Sequence, residues 1–555
     1  MDGPFDYGDL DEGRGVNYWE YDPTLRREAR RIYGEEFEDA SAKLSRFGEV
    51  IGNQVADNSD VIDDKGPELR TYDKNGDVVN QVDYHPKQFE NERLVFESGA
   101  VADSFVAPEG RDEPLPLYHS LVNFYLLGYV DTGLACSVSM TGGAALVLEN
   151  HGEGLDEFYK GLTARDHDEV VQGAMFLTER QGGTDVGKNE TTAYETDRDG
   201  VYEIHGEKWF CSNIDAGAPL VLARRPDAPE GTEGLSLFLV PPRIDGEVND
   251  VYFRRLKDKL GTTSVPTGEV EFRGAEGYLV GETENGFKYM TEMLNYERVT
   301  NAVGSAGMMG RALLEAKAHT ADREVFGKTL DRHPLMRRDL VEIAVDHEAA
   351  TAFSFEAARY LHMYERGGEN EDDDVRALMR VLVPVAKYRT GRMAVVTNRL
   401  LRDAQVAPIW EGASNVLALD LLRALEREGA HRPLLRRIDR YLDEAEHPEL
   451  EKLAEEVREE RHGLEDAMGE MTKSRSFAQY HAKDLADYIF DVYTAALLVA
   501  EAQEQLGSDN SRTAVVARRF YETYLGDSRR RGIEGETGDV FDVVVRFEGG
   551  TDDFS

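Results

Sequence analysis

The chain has 555 residues, with 107 acidic against 64 basic side chains, a formal net charge of −43 and 41% hydrophobic positions. That length predicts roughly three or four units of about 100–200 residues each, enough to bury cores without disulfide or metal staples. Two cysteines, Cys136 and Cys211, exclude a disulfide framework, and no Cys/His cluster has zinc-site spacing.

Disorder is the first meaning of such a charge, but hydrophobic runs recur throughout and imply a folded chain. The acidic excess reads as a halophile's surface, whose self-repulsion is screened in concentrated salt. It also offers no long basic stripe for nucleic acid. The acidic, glycine-rich start is not a secretory signal, and the apolar runs fall short of the roughly 20 residues of a membrane span. A soluble, cytoplasmic protein is expected.

Residues 1–170 read as a helical domain, with a turn-rich patch at 57–86 in which Asn75-Gly76 marks a turn. Within it, residues 117–148 are apolar enough for buried helices. Residues 171–284 change character. Alternating runs at 200–210, 220–224, 235–240 and 269–272, each bounded by turn formers, predict an antiparallel sheet or barrel. Helical periodicity returns over 285–430 as a bundle. Residues 431–555 form an extra helical domain with a strand at 540–547 and a frayed tail. The fold class is α+β.

Four segments carry chemistry. Residues 176–185 (FLTERQGGTD) bracket Gly182-Gly183 with Thr178 and Thr184, a loop able to present N–H groups and hydroxyls to a planar polar ligand. It equally reads as a glycine turn entering a sheet. Residues 208–213 (KWFCSN) place an indole, Trp209, beside Cys211 and Ser212; a core tryptophan is the plainer reading. Residues 323–328 (REVFGK) offer Arg323 to phosphate and Phe326 to a base, or ordinary helix capping. Residues 408–415 (PIWEGASN) set one carboxylate, Glu411, beside Trp410. Desolvation there raises its basicity, as a base acting on a weak carbon acid requires, although a loop glutamate can also serve as a helix N-terminal partner.

In order and separation these four segments resemble the acyl-CoA dehydrogenase superfamily of flavoproteins over about residues 60–430. The segments KDKLGTTSVPTG (257–268), YLVGETENG (278–286) and NYERV (295–299) agree. The TERQGGTDV form, residues 67–86 (PELRTYDKNGDVVNQVDYHP) and the extra C-terminal domain resemble its AidB-type adaptive-response branch. The resemblance implies FAD as cofactor. Leu177, Thr178 and Thr184 would meet the flavin, and Trp209, Cys211 and Ser212 would line its other side. Arg323 and Phe326 would reach a neighbouring subunit's FAD, which implies a homo-oligomer, usually a tetramer. Ile409, Trp410, Gly412 and Asn415 would complete the cofactor contacts, and Glu411 matches the catalytic base.

The implied reaction is dehydrogenation of an acyl-CoA thioester. Glu411 removes the α-proton and the β-hydride goes to flavin. The acyl chain and the electron acceptor stay open. Arg423 is a substrate-channel candidate, or pairs with Asp420 or Glu426 on its own helix. The alternative is an AidB-like flavoprotein that binds and protects double-stranded DNA, with weak or vestigial dehydrogenase activity. Its arginines would be Arg432, Arg436, Arg437 and Arg440, with Arg512, Arg518, Arg519 and residues 529–531. One departure stands out. The family's Gly-Gly-x-Gly-Tyr-type segment before the glutamate is missing, and residues 391–410 read GRMAVVTNRLLRDAQVAPIW.

Overall fold

The computed structural model describes residues 7–10, 12–367, 373–397, 401–506, 510–526 and 540–547. The chain divides into two units, one comprising Val50–Thr300 and the other comprising Met1–Glu49 with Asn301–Ser555.

The Val50–Thr300 unit joins buried helices to a sheet. Asp73 accepts from the N–H groups of Asn75 and Asp77, and Gly76 takes φ 90°. The Asn75-Gly76 turn therefore closes a hairpin of β1 (Glu68–Tyr72) and β2 (Val78–Asp83). Helices Tyr118–Gly128 and Thr132–His151 fall where the apolar run predicts them. Asp131 caps the second, accepting from Leu134 N–H at 2.9 Å. Thr132–His151 is long and apolar enough to cross a membrane by length and composition, but most of its side chains are buried in the core of this unit. A Cβ at Gly142 would stand 2.5 Å from the Tyr296 hydroxyl, so glycine lets helix Thr132–His151 approach Tyr296.

Strands β3 (Gly173–Phe176), β4 (Thr192–Glu195), β5 (Val201–Ser212), β6 (Ala218–Arg224) and β7 (Leu235–Leu239) follow in order. After a two-residue ribbon of β8 (Arg243–Ile244) and β9 (Glu247–Val248) come β10 (Val251–Leu256) and β11 (Thr267–Val280). The order is β10-β11-β5-β4-β6-β3, and β7 pairs with both β6 and β11. The path β11-β5-β4-β6-β7 thus returns to β11 as a closed circuit of pairings, with β10 and β3 as the strands at the two ends of the order. Most pairs are antiparallel as expected, but β3–β6 and β4–β6 are parallel.

The second unit is helical. Helices Pro23–Tyr33, Pro334–Arg366, His431–Asp443, Ala482–Leu506 and Arg512–Tyr524 share one interior. Phe353 stacks on Phe490 and Tyr493 with centroids 4.6 and 5.6 Å apart. Residues 540–547, expected as a strand, instead hold helix Phe541–Arg546. A short apolar run such as Val543-Val544-Val545 does not distinguish strand from helix by period, and here all three valines are buried.

Charge is buried in this interior. Glu28, Glu348 and Glu356 are fully enclosed. Arg27 pairs with Glu348 and, at 2.9 Å, with Glu28. Arg31 reaches Glu28 at 2.9 Å, Glu356 at 2.8 Å and Glu501 at 3.2 Å. Burial opposes ionisation of Glu356, yet Arg359 and Arg31 outweigh it and hold its carboxyl well below the usual range. Glu501 goes the other way, pushed well up by burial and then by the neighbouring Glu28.

Removing one partner of such a set leaves an uncompensated buried charge, at a cost of about 3–5 kcal/mol. Arg31→Met is therefore expected to lower the denaturation midpoint of the helical unit strongly. An unchanged midpoint in urea would show that the pairings contribute nothing.

Candidate functional site

In the Val50–Thr300 unit the loop after β3 and the end of β5 come together. The Trp209 N–H donates to Thr178 O at 2.9 Å, which joins the first two sequence segments. Gly182 takes φ 127°, and its N–H returns to Glu179 O at 2.9 Å to close the loop. A Cβ at Gly183 would stand 2.4 Å from Thr178 Oγ1. Leu177 and Thr178 are half-buried and Thr184 is exposed. The Trp209 ring has the Lys257 ammonium 3.8 Å and the Arg180 guanidinium carbon 5.0 Å from its centroid. Ser212 shares a hydrogen bond with Thr267 at 2.9 Å. The Cys211 thiol is wholly buried, and burial pushes its pKa up, so it stays protonated and unreactive.

Sequence reasoning missed the pair that fixes this loop. Lys208 is completely buried and its ammonium donates to Glu179 Oε1 at 2.8 Å. Glu179 also accepts from Glu190 N–H at 2.6 Å, Thr191 N–H at 3.1 Å and Thr191 Oγ1 at 2.6 Å. Burial pushes the Glu179 carboxyl up, but Lys208 and these donors outweigh it and the net is below the ordinary value. Burial likewise lowers the Lys208 ammonium, against the pull of Glu179. The Asn189 amide holds Leu177 O at 3.0 Å. The available signal was the strand's alternation: Tyr202 and Ile204 face inward, and so does Lys208.

In the helical unit Arg323 follows helix Gly286–Asp322 and opens a hairpin of β12 (Glu324–Val325) and β13 (Lys328–Thr329). Phe326 at its tip has φ 51° and is 98% exposed. Arg323 is exposed and, among the described residues, makes no ion pair. The fourth segment is a turn. Ile409 and Trp410 N–H groups both donate to Val406 O, at 2.8 and 3.2 Å. Glu411 and Gly412 follow with φ 56° and 110°, and helix Ser414–Arg427 begins. Ile409 and Asn415 are exposed, and Trp410 is half-buried. The Trp410 indole N–H is itself buried and finds no acceptor among the described residues.

Arg423 is exposed on helix Ser414–Arg427, and Asp420 is taken by Arg380 at 2.9 Å. The other arginines singled out by sequence are mostly committed. Arg512 is buried on Glu348, Arg518 binds Glu456 and Arg519 binds Glu522 at 3.0 Å. Arg436 binds Asp374, and Arg437 lies 3.8 Å from Glu356. Arg432 and Arg440 are exposed and unpaired among the described residues, and 529–531 lie outside those residues.

Three family matches tile the chain: the adaptive response protein AidB N-terminal domain over residues 11–169, the acyl-CoA dehydrogenase middle domain over 174–275, and the acyl-CoA dehydrogenase C-terminal domain over 284–398. Acyl-CoA dehydrogenase family member 11 of Caenorhabditis elegans is 31% identical over 92% of this chain and 88% of its own length. The putative acyl-CoA dehydrogenase AidB of Escherichia coli is 33% identical over 70% of this chain and 77% of its own. The structure of Caenorhabditis elegans ACDH-11 in complex with C11-CoA superposes with a TM-score of 0.86 at 30% identity, covering 94% of both chains.

The chain belongs to the acyl-CoA dehydrogenase family of flavin-dependent oxidoreductases. Its N-terminal match and its likeness to AidB put it in the AidB-type branch. The cofactor of this family is FAD. The residues present suit such a group: in the β unit, a loop in which Gly182 has open space where a Cβ would stand, joined through Thr178 to an amphipathic indole; and, separately in the helical unit, a buried indole N–H with no acceptor among the described residues.

Replacing Lys208 by Met strands the Glu179 carboxylate in a dry site and releases the Thr178–Trp209 register. We expect Lys208→Met to purify with most of its flavin lost while the helical unit keeps its far-ultraviolet signature. Stoichiometric flavin in that variant would contradict the role given to the pair.

Proposed function

We propose that this protein is an FAD-dependent acyl-CoA dehydrogenase in which Glu411 is the base. The observation that carries the reading is the Glu411 backbone, held at φ 56° between a half-buried tryptophan and a glycine. A non-glycine residue in that region costs of order 1–3 kcal/mol and persists where its surroundings over-determine it, commonly at functional sites. The complex of the Caenorhabditis elegans relative with C11-CoA supports an acyl-CoA thioester as substrate.

FAD, when bound, supplies the acceptor for a hydride. Leu177, Thr178, Thr184, Trp209 and Ser212 are the residues of the β unit assigned to hold it, with Cys211 contributing through its backbone. Ile409, Trp410, Gly412 and Asn415 are assigned to it from the helical unit. Glu411 takes the acidic proton next to the thioester carbonyl, and its own N–H steadies the developing enolate oxygen. The Trp410 indole keeps water from the carboxylate. The exposure of Phe326 and of the Arg323 guanidinium, which makes no ion pair among the described residues, supports their reaching a second subunit's cofactor, in a homotetramer. The committed state of Arg512, Arg518 and Arg519 favours the dehydrogenase over a DNA-protecting role, because paired guanidinium groups are poor phosphate ligands.

Glu411→Gln keeps the shape of the side chain and removes the base. Flavin content should be retained while acyl-CoA dehydrogenation falls by about 10²–10⁴-fold, the usual worth of general base catalysis. A glutamine variant as active as the parent would remove Glu411 from the chemistry.

A further inference from the structure

We infer that helix Asp373–Thr397 is the strut that holds the Glu411 turn, with Lys387 as its positioning residue. The inference rests on Glu411 being the base.

Positions 380, 384, 387 and 391 of this helix stand at i, i+4, i+7 and i+11, one stripe of an α-helix. Three of them meet the segment that carries Glu411 and the helix that follows it. Arg380 binds Asp420 at 2.9 Å and Glu428 at 3.2 Å, which fixes helix Ser414–Arg427. Lys387, wholly buried, donates from its ammonium to Gly412 O at 2.7 Å. Gly391 lies bare against the approach to the turn, where a Cβ would stand 3.0 Å from Ala407 O and 3.1 Å from Ala407 C. The stripe thus touches the turn before, just after and beyond Glu411.

A left-handed glutamate followed by a glycine at φ 110° does not hold its own conformation. The Lys387 ammonium sits where losing an acceptor is costly, so it pins the Gly412 carbonyl and with it the Glu411–Gly412 peptide. The stretch before Glu411 lacks the double-glycine segment noted above. The helix itself supplies the anchorage, through side chains at one helical spacing. Lys387 touches neither substrate nor cofactor in this account; it acts through Glu411.

The test uses the full chain and reads the turn apart from the reaction. Amide hydrogen exchange is followed at Ile409, Trp410, Val416 and Leu417, whose bonds to Val406 O and Ala413 O define the turn. Met at 387 keeps an apolar stem without a donor, and Arg keeps the donor. In Lys387→Met these amides should exchange about tenfold faster or more, as loss of a charge-assisted hydrogen bond implies, while β5 is unchanged. Lys387→Arg should stay within about threefold of the parent. Gly391→Ala, which pushes on Ala407 and leaves the charge in place, should loosen the same amides and carries the test if the Met variant does not fold.

On flavin-loaded protein, the anaerobic rate of flavin reduction, per bound flavin, by whichever of a graded series of straight-chain acyl-CoA esters reduces the parent fastest should fall about tenfold or more in Lys387→Met, with the affinity for that ester changed less than about threefold. Lys387→Arg should restore the rate. Unchanged exchange and an unchanged rate in Lys387→Met would overturn the inference, as would an Arg variant no better than the Met variant in both. Faster exchange in Lys387→Met, in a flavin-loaded parent whose flavin is reduced by none of a graded series of straight-chain acyl-CoA esters, would uphold the strut and sink the base assignment instead.

Discussion

An ammonium group cannot be buried in a protein without partners, and Lys208 is buried completely. That constraint organises the rim of the barrel. Lys208 requires Glu179, and Glu179 fills its remaining acceptor positions with the Thr191 hydroxyl and the amides of Glu190 and Thr191. The two ends of the loop after β3 are thereby tied to one carboxylate, and Asn189 adds a tie to Leu177. Trp209 is fixed because it follows Lys208 in the same strand and donates its N–H to Thr178. The residues assigned to the flavin need not hold their own positions, because a neighbouring ion pair does it for them.

The same rule shapes the helical unit. Four acidic side chains, Glu28, Glu348, Glu356 and Glu501, enter its interior from helices far apart in sequence, and Arg27, Arg31, Arg359 and Arg512 follow them. Tyr493 donates to Glu356 at 3.2 Å, and Tyr441 donates to the same oxygen. Lys317 is pushed down to about 7, first by burial and then by Arg512. Helices from both ends of the chain are thus bound to the Pro334–Arg366 helix by electrostatics as well as packing.

Much of this was legible. Alternation located β5, β6, β7 and β11, the Asn75-Gly76 pair located a hairpin turn, and two of the four short segments, 176–185 and 208–213, meet through the Trp209–Thr178 hydrogen bond. What failed to show was non-local. The closure of β7 on β11 depends on two strands that no local pattern links. The Lys208–Glu179 pair spans 29 residues, and neither residue type declares burial from its own neighbourhood. Arg512 was grouped with Arg518 and Arg519 as a basic cluster able to meet phosphates; its partner, Glu348, lies 164 residues away. Lys387 was invisible for the same reason, although its helical spacing from Arg380 and Gly391 was there to be read. Residues 540–547 went wrong at the local level, since a run of valines suits a buried strand and a buried helix alike.

Two local strategies emerge. The β unit holds its loop with a buried ion pair, and the helical unit holds its turn with a helix stripe; both spend burial energy on positioning a few polar groups. One claim underlies both, that these groups serve flavin-linked oxidation of a thioester. The most direct measurement is an anaerobic visible spectrum of the protein purified in concentrated salt, before and after adding acyl-CoA esters of graded length. Under that claim a flavin band bleaches with at least one of them. A flavin band that persists with every ester would contradict it.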